Sequence, residues 1–169
     1  ADPSLHVRKT DGSWRSFSIP FPIQNRAIAD ILIDDEDQLW LRIPGNQGVV
    51  AFSFGGTPDN PADDQWRWYQ EGIGKGNLPD NEVQCMVQDL NGLLWIGTNN
   101  GLGILPCIQE VFTGTGCETV LPVVKQDNFA GYLFQGEKVL TLAIDGANRK
   151  WVGTRNGAWL IGADGEGTV

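Results

Sequence analysis

DLNGLLWIGTNNGLGIL, residues 89–105, reads as three short strands joined by two tight turns. Asp89 opens a polar corner closed by Gly92, Trp95 sits in an otherwise apolar run, and Asn100-Gly101 marks a second corner. Asn, Asp and Gly supply the left-handed backbone or side-chain caps that such corners need. The same outline stands elsewhere in the chain. Aligning IADILIDDEDQLWLRI from Ile28, VQCMVQDLNGLLWIGT from Val83 and VLTLAIDGANRKWVGT from Val139 brings Asp34, Asp89 and Asp145 into register. Trp40, Trp95 and Trp151 follow six residues after each, 55 and 56 residues apart. Gly-Thr recurs at 97–98 and 153–154, and Asn-Gly at 100–101 and 156–157. A stretch present three times is an architectural unit first, because a catalytic centre has no need of three equivalent copies.

Each unit predicts four strands. The run before the Asp is almost wholly apolar, as in a strand covered on both faces. The Trp strand and the strand after Asn-Gly follow, and a longer polar connection leads to an outer aromatic strand, WRWYQ at 66–70 in the first unit. In the first unit Arg42 and Ile43 replace Gly-Thr, and the second corner is two residues longer. Four strands per unit of this length predict an all-β chain, a β-propeller of about three to three and a half four-stranded blades. The divisions expected are a partial blade at 1–27, blades at 28–82 and 83–138, and a partial blade at 139–169. Closed propellers have about 4–8 blades, so the chain is expected to be a fragment of a larger propeller, with other blades of the same or a second chain as its neighbours.

Composition narrows the partners. Twelve Lys and Arg against 21 Asp and Glu give a net charge of -9, the wrong sign for nucleic acid or an anionic membrane surface. With 22 Gly and 7 Trp, the residues suit tight turns and aromatic strands. No run approaches the roughly 20 apolar residues of a membrane helix, so no transmembrane segment is expected. Cys107 and Cys117 flank the glycine-rich stretch IQEVFTGTG, whose ends can meet. A local disulfide and a pair of free thiols both remain open. Cys85, within an apolar strand, reads as a small buried hydrophobe.

The pattern D-x-x-G-x-L-W-I-G-T-x-N-G-L, filled by Asp89, Gly92, Leu94, Trp95, Ile96, Gly97, Thr98, Asn100, Gly101 and Leu102, resembles the two-component-regulator propeller repeat. That resemblance implies an extracytoplasmic β-propeller, as in the sensor regions of hybrid histidine kinases of Bacteroidota. The long blades, the Cys107–Cys117 insertion and the tail KVLTLAIDGANRKWVGTRNGAWLI are similar to PorZ-type propeller components of the type IX secretion system. That likeness implies a place in the cell envelope, at the outer-membrane surface or in the periplasm. It also implies a role in attaching cargo to surface lipopolysaccharide. Its partners would be a protein of the secretion machine or, for a sensor, a glycan ligand.

The chemistry-bearing residues have structural readings that come first. Asp34, Asp89 and Asp145 are expected to cap their turns by accepting backbone N–H groups. Trp40, Trp95 and Trp151 are expected to pack between blades. The acidic turns 34–37 and 59–64 match no calcium loop and do not repeat, so they read as solvated corners and no metal is expected. GIGKGN at 72–77 lacks the spacing of a phosphate loop. No nucleophile elbow, Cys–His pairing or positioned carboxylate pair is visible, so neither catalysis nor a cofactor is expected. The residues left for ligand binding lie at the corners and connections of one propeller face, around the channel mouth: Asn25, Arg26, Asn81, Asn99, Asn100, Arg155 and Asn156.

Overall fold

The computed structural model describes residues 4–126 and 129–163. It is built of antiparallel sheets laid side by side in chain order. β1 (Leu5–Arg8) and β2 (Trp14–Phe17) form a hairpin. The first full sheet holds β3 (Asp30–Ile33), β4 (Leu39–Arg42), β5 (Val49–Ser53) and β6 (Gln65–Tyr69), in that order. The second holds β7 (Val83–Gln88), β8 (Leu94–Thr98) and β9 (Gly101–Leu105). A 3-10 turn at Ile108–Glu110 leads on to a separate hairpin, β10 (Val123–Gln126) with β11 (Phe129–Tyr132). The third sheet holds β12 (Val139–Ile144), β13 (Lys150–Thr154) and β14 (Gly157–Ile161).

The four-strand order of the first sheet is the one the repeat predicts, with WRWY on the outer strand. The second departs from it. Among the described residues, the position of a fourth strand is held by an isolated bridge between Ile104 and Val120. Between β9 and that bridge the chain forms a compact loop closed by the cross-link between Cys107 and Cys117, whose Cα atoms stand 5.7 Å apart.

That loop faces the first sheet. Gln38 Nε2 donates to Ile108 O at 2.9 Å, Arg67 Nη1 to Val111 O at 3.2 Å and Tyr69 Oη to Cys117 O at 2.8 Å. Ile108, Val111 and Cys117 enter the same buried cluster as Trp40 and Tyr69. The disulfide loop is therefore a staple between consecutive sheets.

Alternation along the strands distributes the core. On β4, Leu39 and Leu41 point back towards Leu5 and Phe17 of the β1–β2 hairpin, while Trp40 points forward to Met86, Leu94 and Ile96 of the second sheet. Both faces of β4 are thus covered, which is why the strand is buried at every apolar position. The next layer repeats the scheme, with Trp95 and Leu102 packed against Val139, Val152 and Ile161. Gly97 is fixed by this packing. A Cβ there would stand 2.6 Å from Cys85 Sγ and 2.6 Å from Val139 Cγ1, so two sheets approach through its missing side chain. Arg42, at the matching place in the first sheet, instead reaches over to Val83 O of the second at 3.3 Å.

Candidate binding rim

The three aspartates make the same local structure. Asp34 Oδ1 accepts the N–H groups of Glu36 and Gln38 at 2.9 and 3.0 Å, and its Oδ2 accepts the Trp40 indole at 2.7 Å. Asp89 takes Asn91 N, Leu93 N and Trp95 Nε1 at 2.9, 3.0 and 3.0 Å. Asp145 takes Ala147 N, Arg149 N and Trp151 Nε1 at 3.0, 3.0 and 3.1 Å. The third position of each corner, Asp37, Gly92 or Asn148, has positive φ and completes the turn. One carboxylate thus fixes the hairpin and the rotamer of its tryptophan together.

The clamps differ in what covers them. Asp34 is buried without an ion pair among the described residues. Asp89 Oδ2 also lies 3.0 Å from Lys150 Nζ of the third sheet, both side chains being buried. The same ammonium sits 5.1 Å from the centre of the Trp95 ring. Burial alone would raise the Asp89 pKa; the Lys150 ammonium, the Leu93 and Asn91 N–H groups and the Trp95 indole outweigh it and hold the carboxyl below its ordinary range. Asp145 is lowered to about 2, first by the Trp151 indole, then, against a smaller effect of burial, by Arg149 N–H, the Arg149 guanidinium and Ala147 N–H. Asp89 and Asp145 are thus held in the carboxylate form, each engaged by the donors of its own turn and Asp89 also by Lys150.

The rim is built from corners strapped to connections. Gly48 N donates to Asn81 O at 2.9 Å and Asn46 N to Glu82 Oε2 at 2.6 Å, tying the β4–β5 corner to the connection entering the second sheet. One sheet on, Gly101 N donates to Glu137 O at 2.9 Å and Gly136 N to Asn100 Oδ1 at 2.8 Å. Thr98 and Thr154 shape the two later corners: each hydroxyl accepts the N–H two residues on, from Asn100 and Asn156, at 3.1 Å. The Gly-Thr-x-Asn-Gly pattern is thus a hydroxyl-capped turn that lifts its middle residue into solvent.

The seven rim residues expected from the sequence do not all converge. Asn99, Arg155 and Asn156 line one concavity of about 390 Å³, together with Gly136, Glu137 and Lys138. Asn156 Nδ2 holds both Glu137 oxygens at 2.7 Å, and Asn99 Oδ1 accepts Gln84 Nε2 at 3.1 Å. Asn100 lines an adjoining groove of about 470 Å³ whose other walls include Leu78, Pro79, Leu121, Tyr132 and Gln135. Asn81 Oδ1 is taken by Glu71 N at 2.6 Å and Asn25 Oδ1 by Ala27 N at 3.0 Å, so these two cap their own loops. Arg26 is exposed and lines neither concavity. Tyr132 was not legible as a rim residue because it belongs to the β10–β11 hairpin, which has no counterpart in the first unit, whereas Lys138 falls at the position of Glu82, in the connection that enters the next sheet. Among the described residues no group of three or more His, Cys, Asp or Glu is placed to hold a metal ion.

Comparison with known proteins places this geometry. The family described as two component regulator propeller matches residues 77–100. No curated protein matches the chain. Among solved structures, PorZ, an essential surface component of the type-IX secretion system of Porphyromonas gingivalis, is similar with a TM-score of 0.76 and 24% identity, over 91% of this chain and 22% of PorZ. The extracellular domain of a hybrid two component system from B. thetaiotaomicron is similar with a TM-score of 0.55 and 14% identity, over 94% of this chain and 22% of that one. A protein described as a gluconolactonase gives 0.52 and 12%, over 97% and 47%. At these identities the likeness is one of fold, and the chain spans less than half the length of each. The chain is a β-propeller segment that carries a two-component-regulator propeller repeat at residues 77–100 and resembles PorZ in fold over most of its length.

Proposed function

We propose that this segment is a non-catalytic interaction module of an extracytoplasmic cell-envelope protein, a PorZ-like component serving cargo attachment in type IX secretion. The observation that carries the reading is the division of labour among polar groups. The repeated carboxylates are saturated by turn N–H groups and indoles, while Arg155 and Lys138 line the rim concavity with no hydrogen bond or ion pair among the described residues. A surface whose free polar groups are loop-borne and lack a positioned acid–base pair suits recognition. The Cys107–Cys117 bond fits an oxidising compartment. With a net charge of -9 the segment is unsuited to hold an anionic polysaccharide itself, so contacts to lipopolysaccharide belong elsewhere in the assembly.

The second reading, a ligand-sensing ectodomain, is supported by the likeness to the B. thetaiotaomicron domain. Thermal unfolding with neutral and acidic oligosaccharides, and surface-based binding to anionic lipopolysaccharide at low salt, separate the two. A scaffold shows no ligand-dependent rise in melting temperature and no tight, salt-sensitive binding. A saturable rise that Arg155→Ala abolishes would transfer the conclusion to sensing.

A further inference from the structure

The two rim concavities each include a carboxylate, Glu137 in one and Glu71 in the other. A further groove, of about 460 Å³, runs along β6 and differs in charge: it is lined by Arg67 and Lys75, with no Asp or Glu. In a chain with 21 acidic residues against 12 basic ones, two cations without a carboxylate run against the prevailing field. Neither cation is in an ion pair among the described residues. The groove shares no lining residue with the rim. One wall is β6 with the loop at 74–75, the other is Val111 to Thr113 of the disulfide loop, so consecutive units of this chain form it.

The groove is set before anything enters it. Arg67 Nη1 donates to Val111 O at 3.2 Å, and the guanidinium lies 5.1 Å from the centre of the Tyr69 ring. Only one of its five N–H donors is used by that bond, while its place is fixed. Gly116, with φ 64°, packs against the guanidinium where a Cβ would overlap it. Gly76 packs on Tyr69 in the same way: a Cβ there would stand 2.6 Å from Tyr69 Cδ1. Lys75 N donates to Gly72 O at 3.0 Å and Gln70 N to Lys75 O at 2.7 Å, which ties the backbone of Lys75 and leaves its exposed side chain at the groove. Such positioning lowers the ordering cost of binding.

The strand itself supplies the second element of recognition. β6 is the last strand of the first sheet. In an antiparallel ladder alternate residues turn their N–H and C=O groups away from the neighbouring strand, so an end strand carries a row of them without ladder partners. An extended chain laid along that row gains main-chain hydrogen bonds, and every second side chain falls on the face that bears Arg67.

We propose that this groove is a docking site for an extended acidic segment of a partner polypeptide, which pairs with the edge of β6 and sets carboxylates against Arg67 and Lys75. The site is independent of what the rim binds.

The test uses the full chain and a fluorescein-labelled peptide, acetyl-Ser-Glu-Val-Glu-Val-Glu-Ser-amide, followed by fluorescence anisotropy at low salt. Saturable binding is expected, weakened about tenfold by added salt. The form with Gln for every Glu is expected to bind about tenfold more weakly. Of two forms N-methylated on alternate residues, the one whose N–H groups face β6 is expected to lose about tenfold and its counterpart to bind like the parent. In the chain, Lys75→Gln is expected to weaken binding about tenfold and Lys75→Arg to keep it. Thr113→Glu, at an exposed position, is expected to abolish it, with circular dichroism checking the fold of each variant. Absence of saturable binding, or equal binding by the Gln peptide or the Lys75→Gln chain, overturns the proposal. Parent-like binding by both N-methylated forms, with displacement by inorganic phosphate, overturns it in favour of a simple anion site. Self-association in sedimentation that Lys75→Gln removes overturns it in favour of a second copy.

Discussion

Replacing Lys150 by leucine converts the second inter-sheet contact into the arrangement found at the first, and this gives an internal scale for the loss. Asp34 is held by two backbone N–H groups and an indole beneath an apolar neighbour, and it stays buried without an ion pair among the described residues. Asp89 keeps the same three donors when Lys150 is removed. The loss is then one charge-assisted contact, about 1.5–3 kcal/mol, reduced by the apolar burial of the new side chain, for a net of about 1–2 kcal/mol. For a chain of this size that corresponds to roughly 2–8 °C in melting temperature.

The reverse substitution is worse. Asp89→Ala strands an ammonium that is 1% exposed, with Ala163 O at 3.0 Å as its remaining acceptor. It also orphans two backbone donors and an indole, so the loss is at least about 3–5 kcal/mol. Adding Lys150→Leu to Asp89→Ala removes the stranded charge and recovers part of it. Urea unfolding at neutral pH, followed by tryptophan fluorescence, measures all three. If Lys150→Leu proves as damaging as Asp89→Ala, or the double variant is worse than Asp89→Ala alone, the clamp is not what carries the interface.

The same pair sets a pH dependence. Because the folded Asp89 pKa lies below its ordinary value of 3.8, its contribution is fully present above that value and is lost as pH falls through the folded pKa; in Lys150→Leu, acid unfolding monitored by circular dichroism moves to higher pH. Reducing the Cys107–Cys117 bond, or replacing both residues by serine, removes the staple between the first two sheets and lowers stability by about 2–3 kcal/mol in calorimetry, whereas an unchanged unfolding profile would refute its role. Gly97→Ala pushes a methyl against Cys85 Sγ and Val139 Cγ1 and is expected to cost about 1–3 kcal/mol by urea unfolding, with partial rescue by Cys85→Ala. Burial pushes the Cys85 thiol up to about 12, so its alkylation at pH 8 should be slow in the native chain and rapid in urea, a difference that thiol titration reads directly.

The inner three strands of each unit were legible because their determinants are local. Within its own turn the Asp reaches two, four and six residues ahead, and the Thr two and three, so spacing alone encodes the turn and the indole direction. The outer region of the second unit was not, because it depends on where a cross-linked loop lands on another sheet. Val120 is left with a single bridge where WRWY forms a full strand in the unit before. Lys150 illustrates the other limit. In sequence it is a cation beside a tryptophan, and only the stacking of sheets shows that its partner lies 61 positions earlier. Of the rim residues, Asn99, Arg155 and Asn156 share a concavity because equivalent corners of adjacent sheets fall together. Asn25 and Asn81 were indistinguishable from them by type, yet their amides are consumed by their own loops.

The clamps also constrain how such a chain can change. Asp34 and Asp89 are each fixed by their own unit but covered by a residue written into the next one, so the units are not interchangeable beads. Deleting the second unit would set Lys150 over Asp34, and duplicating it would set Leu94 over Asp89; either joins a clamp to a cover it does not have now. Unit order is therefore carried by pairs of residues straddling the junctions, and a recombined array has to exchange both members of a pair to keep its layers together.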